Sequence, residues 1–84
     1  MQASRLSLAR VPIGVPRTIR SIGAAARAEL AREGLYNGAV VTVIARTPLG
    51  GPVVVQRGRT RLALSADVAD DVETAPCGPD GELQ

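Results

Sequence analysis

The sequence predicts a mainly β protein, a small antiparallel barrel of five strands with one inserted α-helix and a short helical turn before the last strand. Three observations carry that expectation. Between Leu35 and Ser65 three β-rich segments, Val40–Arg46, Val53–Gln56 and Arg61–Ser65, are separated by turn chemistry. Within them aliphatic residues alternate: Val41, Val43 and Ala45 share one face, Val53 and Val55 the next, Leu62 and Leu64 the third. That is the period of a half-buried antiparallel strand. The period changes clearly once, over Ala24–Glu33, to a run of strong helix formers.

From the N-terminus, residues 1–5 carry no structural signal and are expected to be loose. Leu6, Leu8 and Val11 can pack on the barrel before Pro12-Ile13-Gly14 turns the chain. Arg17–Ile22 is the first strand, with Pro16 marking its start. The helix at Ala24–Glu33 offers Ala26 and Leu30 to the barrel, four residues apart, and ends at Gly34. Ten residues, half of them Ala, make a marginal helix alone, so docking must hold it. Leu35 tucks in behind the glycine, and Tyr36-Asn37-Gly38 turns into the central strands. A slip of one residue there would bury Gln56 and Arg61, so the pattern sets the register. Arg57-Gly58-Arg59-Thr60 is the expected hairpin. Ser65 can cap a helical turn over Ala66–Ala69, with Asp67 near its N-terminus, and Asp71–Thr74 closes the sheet with Val72 inward. The domain is expected over residues 6–75, with a disordered tail over residues 76–84.

At 84 residues the chain is one domain with a marginal core. That core must be aliphatic, because there is no Phe or Trp and a single Tyr. Charge is distributed unevenly: all ten basic residues are Arg at or before position 61, and six of the eight acids follow it. A basic patch of this kind can attract an acidic partner or nucleic acid, although scattered arginine is usually solvated surface. The single cysteine, Cys77, excludes an internal disulfide and fits a reducing, cytoplasmic setting. No uninterrupted apolar run approaches the ~18–20 residues of a membrane span.

Much chemistry is excluded by composition. Without histidine there is no imidazole general base and no Cys/His zinc site. Glu29 and Glu33 lie four apart on one helix face, the spacing of mildly repulsive surface carboxylates. Asp67, Asp70, Asp71 and Glu73 lack the spacing and central glycine of a calcium loop. Gly50-Gly51-Pro52 leads into a strand and not into a helix N-terminus, so it is not a phosphate-binding glycine fingerprint. Single-strand nucleic-acid binding would want aromatic platforms, and only Tyr36 is available. No catalytic set, cofactor or metal site is expected.

At Thr47-Pro48-Leu49-Gly50-Gly51-Pro52 the chain resembles the FeoA family of bacterial ferrous iron transport. The family order runs through a leading Leu and a Pro-x-Gly turn, here Leu8 and Pro12-Ile13-Gly14. A strand follows, then a helix with Arg and Leu similar to Arg27 and Leu30, and a Gly-Leu-x-Pro-Gly turn. An apolar strand, an Ala-Pro-Leu-Gly-Asp-Pro loop, a hairpin and a final Ala-Leu-Arg segment complete it, and Leu6 to Thr74 keeps this order without gaps. Three positions depart: Asn37 stands for the turn Pro, Gly51 for the loop Asp and Ser65 for the strand Arg. The resemblance implies an SH3-like barrel that acts without catalysis on the cytosolic GTPase portion of a FeoB-type membrane transporter. A homo-oligomer stays open.

The expected partner surface comprises Pro48, Leu49 and Gly50 of the loop with Arg27, Leu35 and Tyr36 near the helix end. Leu49 either presents itself to a partner groove or folds back on the barrel end; Tyr36 either anchors a partner or covers the core edge. Against the transporter accessory stands a second class, a free-standing nucleic-acid- or anion-binding barrel using its Arg surface. Salt-dependent oligonucleotide binding without transporter affinity would favour the latter. Lacking histidine and paired thiols, the chain should bind no transition metal usefully. Calorimetric titration with ferrous or zinc ion should show nothing tighter than high micromolar, and a stoichiometric submicromolar site would overturn that expectation.

Overall fold

The structure, a computed structural model, describes residues 5–77. The expectations for residues 1–4 and for the tail beyond Cys77 lie outside the described residues. In chain order the elements are β1 (Leu6–Ser7), β2 (Pro16–Ile22), α1 (Ala24–Arg32), β3 (Val40–Arg46), β4 (Val53–Arg57), β5 (Thr60–Leu64), α2 (Ala66–Asp70) and β6 (Val72–Pro76). All the strands join one antiparallel sheet in the order β1-β6-β2-β3-β4-β5. There are six strands instead of five, because Leu6 and Ser7 pair with Thr74 and Glu73 as well as packing on the core. β6 extends through Pro76, which pairs with Arg17.

The sheet curls around one aliphatic cluster. Val41, Val43, Val53, Val55 and Leu64 are buried as expected, and Leu62 is half-buried against them. Leu8 and Val11 enter the same cluster from the N-terminal segment, and Ala26 and Leu30 from α1. Each fully buried Val or Leu contributes roughly 1.5–3 kcal/mol, so these side chains dominate the stability.

Two bulges bend the sheet and reset its alternation. Val43 pairs with Val55 but Ala45 pairs with Val54, leaving Ile44 as an extra residue. Beyond it the faces exchange. Ala45, expected inward, is exposed, and Arg46, expected outward, sends its guanidinium to donate to the carbonyls of Val11 and Leu8. In β2 the register shifts between Ile19 and Ser21, leaving Arg20 extra. Ile19 and Ile22 are therefore both buried although three residues apart.

Arg17 is buried on the Ile19 face, as the two-residue period of the strand requires although arginine is a surface residue by composition. Its Nε donates to Thr74 Oγ1 at 3.0 Å and a terminal nitrogen donates to Thr74 O at 3.2 Å. Thr74 Oγ1 in turn donates to Leu6 O at 2.8 Å. Burial holds the Arg17 pKa below the ordinary arginine value, with Cys77 pulling it the other way; the guanidinium remains a cation.

α1 ends in a full Schellman motif. Gly34 N–H donates to Ala31 O and Leu35 N–H to Leu30 O, at 3.0 and 2.9 Å. Gly34 has φ +82°, the left-handed conformation that favours glycine; the Arg57 guanidinium, 2.8 Å from where a Cβ would lie, would have to swing aside for any other residue. Ser65 caps α2 by accepting from Val68 N–H at 3.2 Å, as its position before Ala66 predicts.

Replacing Thr74 by Val keeps the shape but removes the hydroxyl that accepts from Arg17 Nε and donates to Leu6 O. Unfolding free energy should fall by about 1–3 kcal/mol, read by urea denaturation. Thr74→Ser keeps the hydroxyl and should cost about 1 kcal/mol for the lost methyl. Equal midpoints for wild type and Thr74→Val would show that the hydroxyl does not hold these strands. Val43→Ala should cost about 1–3 kcal/mol through lost burial and a small cavity.

Candidate partner-docking site

The loop between β3 and β4 is closed at its base by Thr47 N–H donating to Pro52 O at 3.0 Å. Pro48 presets its own φ, and the next residue, Leu49, has φ +64°. That conformation suits glycine, and in leucine costs about 1–2 kcal/mol. Leu49 is the only non-glycine residue with positive φ among the described residues. Its relative exposure is 104%, so the side chain stands clear of the protein and does not fold back on the barrel end. Gly50 follows with φ +79° and open space around it.

Gly51 is required by close approach. A Cβ there would lie 2.5–2.6 Å from Thr47 Cγ2 and Cβ. An aspartate at this position, usual in the family the loop resembles, has no room unless Thr47 moves.

The helix-end residues form a separate feature. Ile22, Arg27, Ala31, Leu35, Tyr36 and Asn37 line an open groove of about 330 Å³. Arg27 donates to Ile22 O at 3.0 Å, which holds its guanidinium along the groove wall. Tyr36 is 56% exposed, with the Arg57 guanidinium 5.9 Å from its ring centroid, a weak cation–π contact. Leu35 is only 1% exposed, so it is a core residue that at most floors the groove. This corrects its expected place on the partner surface.

The two groups are not brought together. The Leu49 loop leaves the C-terminal end of β3, and Tyr36 precedes its N-terminal end. The six residue steps from one end of β3 to the other, at ~3.3 Å each, separate them by about 20 Å. The pairing of β4 agrees, since its start adjoins the loop and its end, Arg57, lies at Tyr36. A single patch combining Leu49 with Tyr36 is therefore excluded for one small contact.

Two further exposed side chains were missed in the sequence. Ile13 and Val15 stand out from the turn after Val11. That turn is tied to the Leu49 half of β3 by Gly14 N–H donating to Val43 O and by Arg46 on Val11 O. The apolar residues flanking a Pro-x-Gly turn were the available signal. The arrangement at this end can bury apolar surface against a partner. Among the described residues, no group of three His, Cys, Asp or Glu side chains lies close enough to hold a metal ion. No helix among them is long and apolar enough to cross a membrane.

Comparison with known proteins places this geometry. A crystallised iron uptake regulatory protein (FeoA) is 27% identical, with a TM-score of 0.75 over 84% of this chain and 94% of that one. The FeoA of Stenotrophomonas maltophilia, complexed with zinc and described as a procaryotic SH3 domain protein, is 29% identical, with a TM-score of 0.69 over 82% and 88%. A manganese-dependent transcriptional repressor shares the fold at 18% identity and a TM-score of 0.79, over 87% of this chain but 42% of its own. No curated protein sequence matches the chain. The FeoA domain model matches residues 6–76, from β1 to the last residue of β6. The chain thus belongs to the FeoA family, which is associated with ferrous iron transport.

Proposed function

We propose that this chain is a cytoplasmic, non-catalytic accessory protein of ferrous iron transport that docks on the cytosolic portion of a FeoB-type transporter. The observation that carries the reading is Leu49, a fully exposed leucine held in a strained backbone conformation at the tip of a stiff loop. Strain of this kind persists where the surrounding structure over-determines it, and it clusters at ligand clamps and switch regions. Pro48, Pro52 and the Thr47–Pro52 bond already order the loop, so little ordering is lost on binding. Pro48 and Gly50 frame the anchor, and Ile13 and Val15 add exposed apolar surface on a turn bonded to the same strand, β3. Arg27 and Tyr36 form a second contact only for a partner broad enough to reach both ends of β3. The S. maltophilia FeoA is described as a candidate ferrous iron transport activating factor, which supports a transporter as the partner. The competing nucleic-acid reading is weakened by Tyr36 being the only aromatic residue.

Leu49→Asp and Leu49→Gly test the anchor. Both replacements tolerate positive φ better than leucine, so neither should destabilise the fold. For Leu49→Gly, relief of strain outweighs or matches the added freedom of the unfolded chain, and stability should be unchanged or up to about 1 kcal/mol higher. Calorimetric binding to the purified cytosolic portion of the transporter should weaken by at least about tenfold for both variants, as for loss of an anchor residue. Wild-type affinity in a folded Leu49→Asp variant removes the loop from the docking surface.

A further inference from the structure

One edge of the sheet is β5, which pairs only with β4. The register around the two-residue loop Gly58-Arg59 decides which backbone groups point outward. Arg57 and Thr60 flank that loop as the closing bonded pair. Bonded and non-bonded pairs alternate along an antiparallel ladder, so Leu62 and Leu64 also bond to β4. The N–H and C=O groups of Arg61 and Ala63 therefore face away from the sheet. Both residues are exposed, and among the described residues no other backbone group bonds to them.

The same edge carries unmatched positive charge. Arg59 and Arg61 are exposed, and Arg61 Nε donates only to the neutral amide oxygen of Gln56, at 3.1 Å. Among the described residues the one ion pair is Arg5–Glu73, on the opposite side of the sheet. A second copy of this chain is disfavoured at this edge. Pairing two β5 strands would gather four guanidinium groups of the two hairpins with no carboxylate among them, the like-charge device that keeps edges from self-association.

We propose that the β5 edge accepts an acidic, extended segment of a partner protein as an added strand. The segment exchanges backbone hydrogen bonds with Arg61 and Ala63 and sets its carboxylates beside Arg59 and Arg61. Backbone bonding supplies the pairing, and the arginines select the acidic sequence. This edge is distinct from the Leu49 loop and does not depend on that loop's role.

The probe is a capped heptapeptide, Ac-Glu-Val-Glu-Val-Asp-Val-Thr-NH2, titrated into the full chain and followed by amide NMR. Binding should slow hydrogen exchange at the Arg61 and Ala63 amides by at least about tenfold, while those of Leu62 and Leu64, already bonded to β4, stay unchanged. The same peptide N-methylated at alternate residues on its pairing edge should not bind. Arg61→Glu, at an exposed site, should weaken the peptide by at least about tenfold and turn the preference toward its lysine counterpart. Arg59→Gln should weaken it less. Equal binding of the N-methylated peptide, shifts centred on Tyr36 and Arg27, or no response at millimolar peptide would each overturn the proposal. So would protection of Arg61 and Ala63 that rises with protein concentration alone, which would assign the edge to a second copy.

Discussion

The Thr74 hydroxyl is the junction on which the sheet depends. It accepts from the buried Arg17 and donates to the Leu6 carbonyl, so a single oxygen ties β2, β6 and β1 together. β6 is the last strand among the described residues, yet it lies between β1 and β2. Such a long-range insertion closes a large loop and carries the corresponding entropic cost. A buried guanidinium adds to the cost unless its donors are satisfied. Thr74 and its carbonyl satisfy two of them at once. Removing the hydroxyl would take away the one atom that joins Arg17 to Leu6 across β6, so the burial of Arg17 and the pairing of the terminal strands are coupled through it.

Within that frame, two extra residues shape the working surface. The core is aliphatic and small, and the sheet must bend sharply to enclose it. The bulges at Arg20 and Ile44 supply the bend. The second also turns Arg46 inward, where its guanidinium fastens the Val11 segment to the end of β3. That fastening sets the turn bearing Ile13 and Val15 at the Leu49 end. The strain at Leu49 is contained because both bases of the loop are held, by the Thr47–Pro52 bond and by the β3–β4 ladder.

The departures from the family pattern acquire physical reasons in the structure. Gly51 stands where an acid is usual because Thr47 occupies the space a side chain would need. Ser65 stands where an arginine is usual and caps α2 with its hydroxyl. Asn37 lines the groove beside Tyr36. The surface therefore carries an apolar loop tip at one end of β3 and a groove with an arginine-rich hairpin at the other.

Residue pattern by itself determined the elements. Alternation placed β3, β4 and β5, the run of helix formers ending at Gly34 placed α1, and Ser65 with Asp67 placed α2. These are local properties, fixed by side-chain period, propensity and capping within a few residues. The loop motif likewise singled out Leu49. Only the tertiary structure decided what depends on distant pairing. The bulges moved Ala45 out and Arg46 in, because a register shift is set by the partner strand and leaves no mark in the period of one segment. Arg17 became a core residue because Thr74, 57 positions away, receives its donors. Leu35 tucked in behind Gly34 as its place after the helix suggests. That it leaves the surface almost entirely, and that Leu49 stands fully in solvent instead of folding back, are decided by the packing of the finished barrel. Their separation along β3 was likewise invisible in sequence, since two turns that bracket one strand must lie at its opposite ends only once that strand has formed.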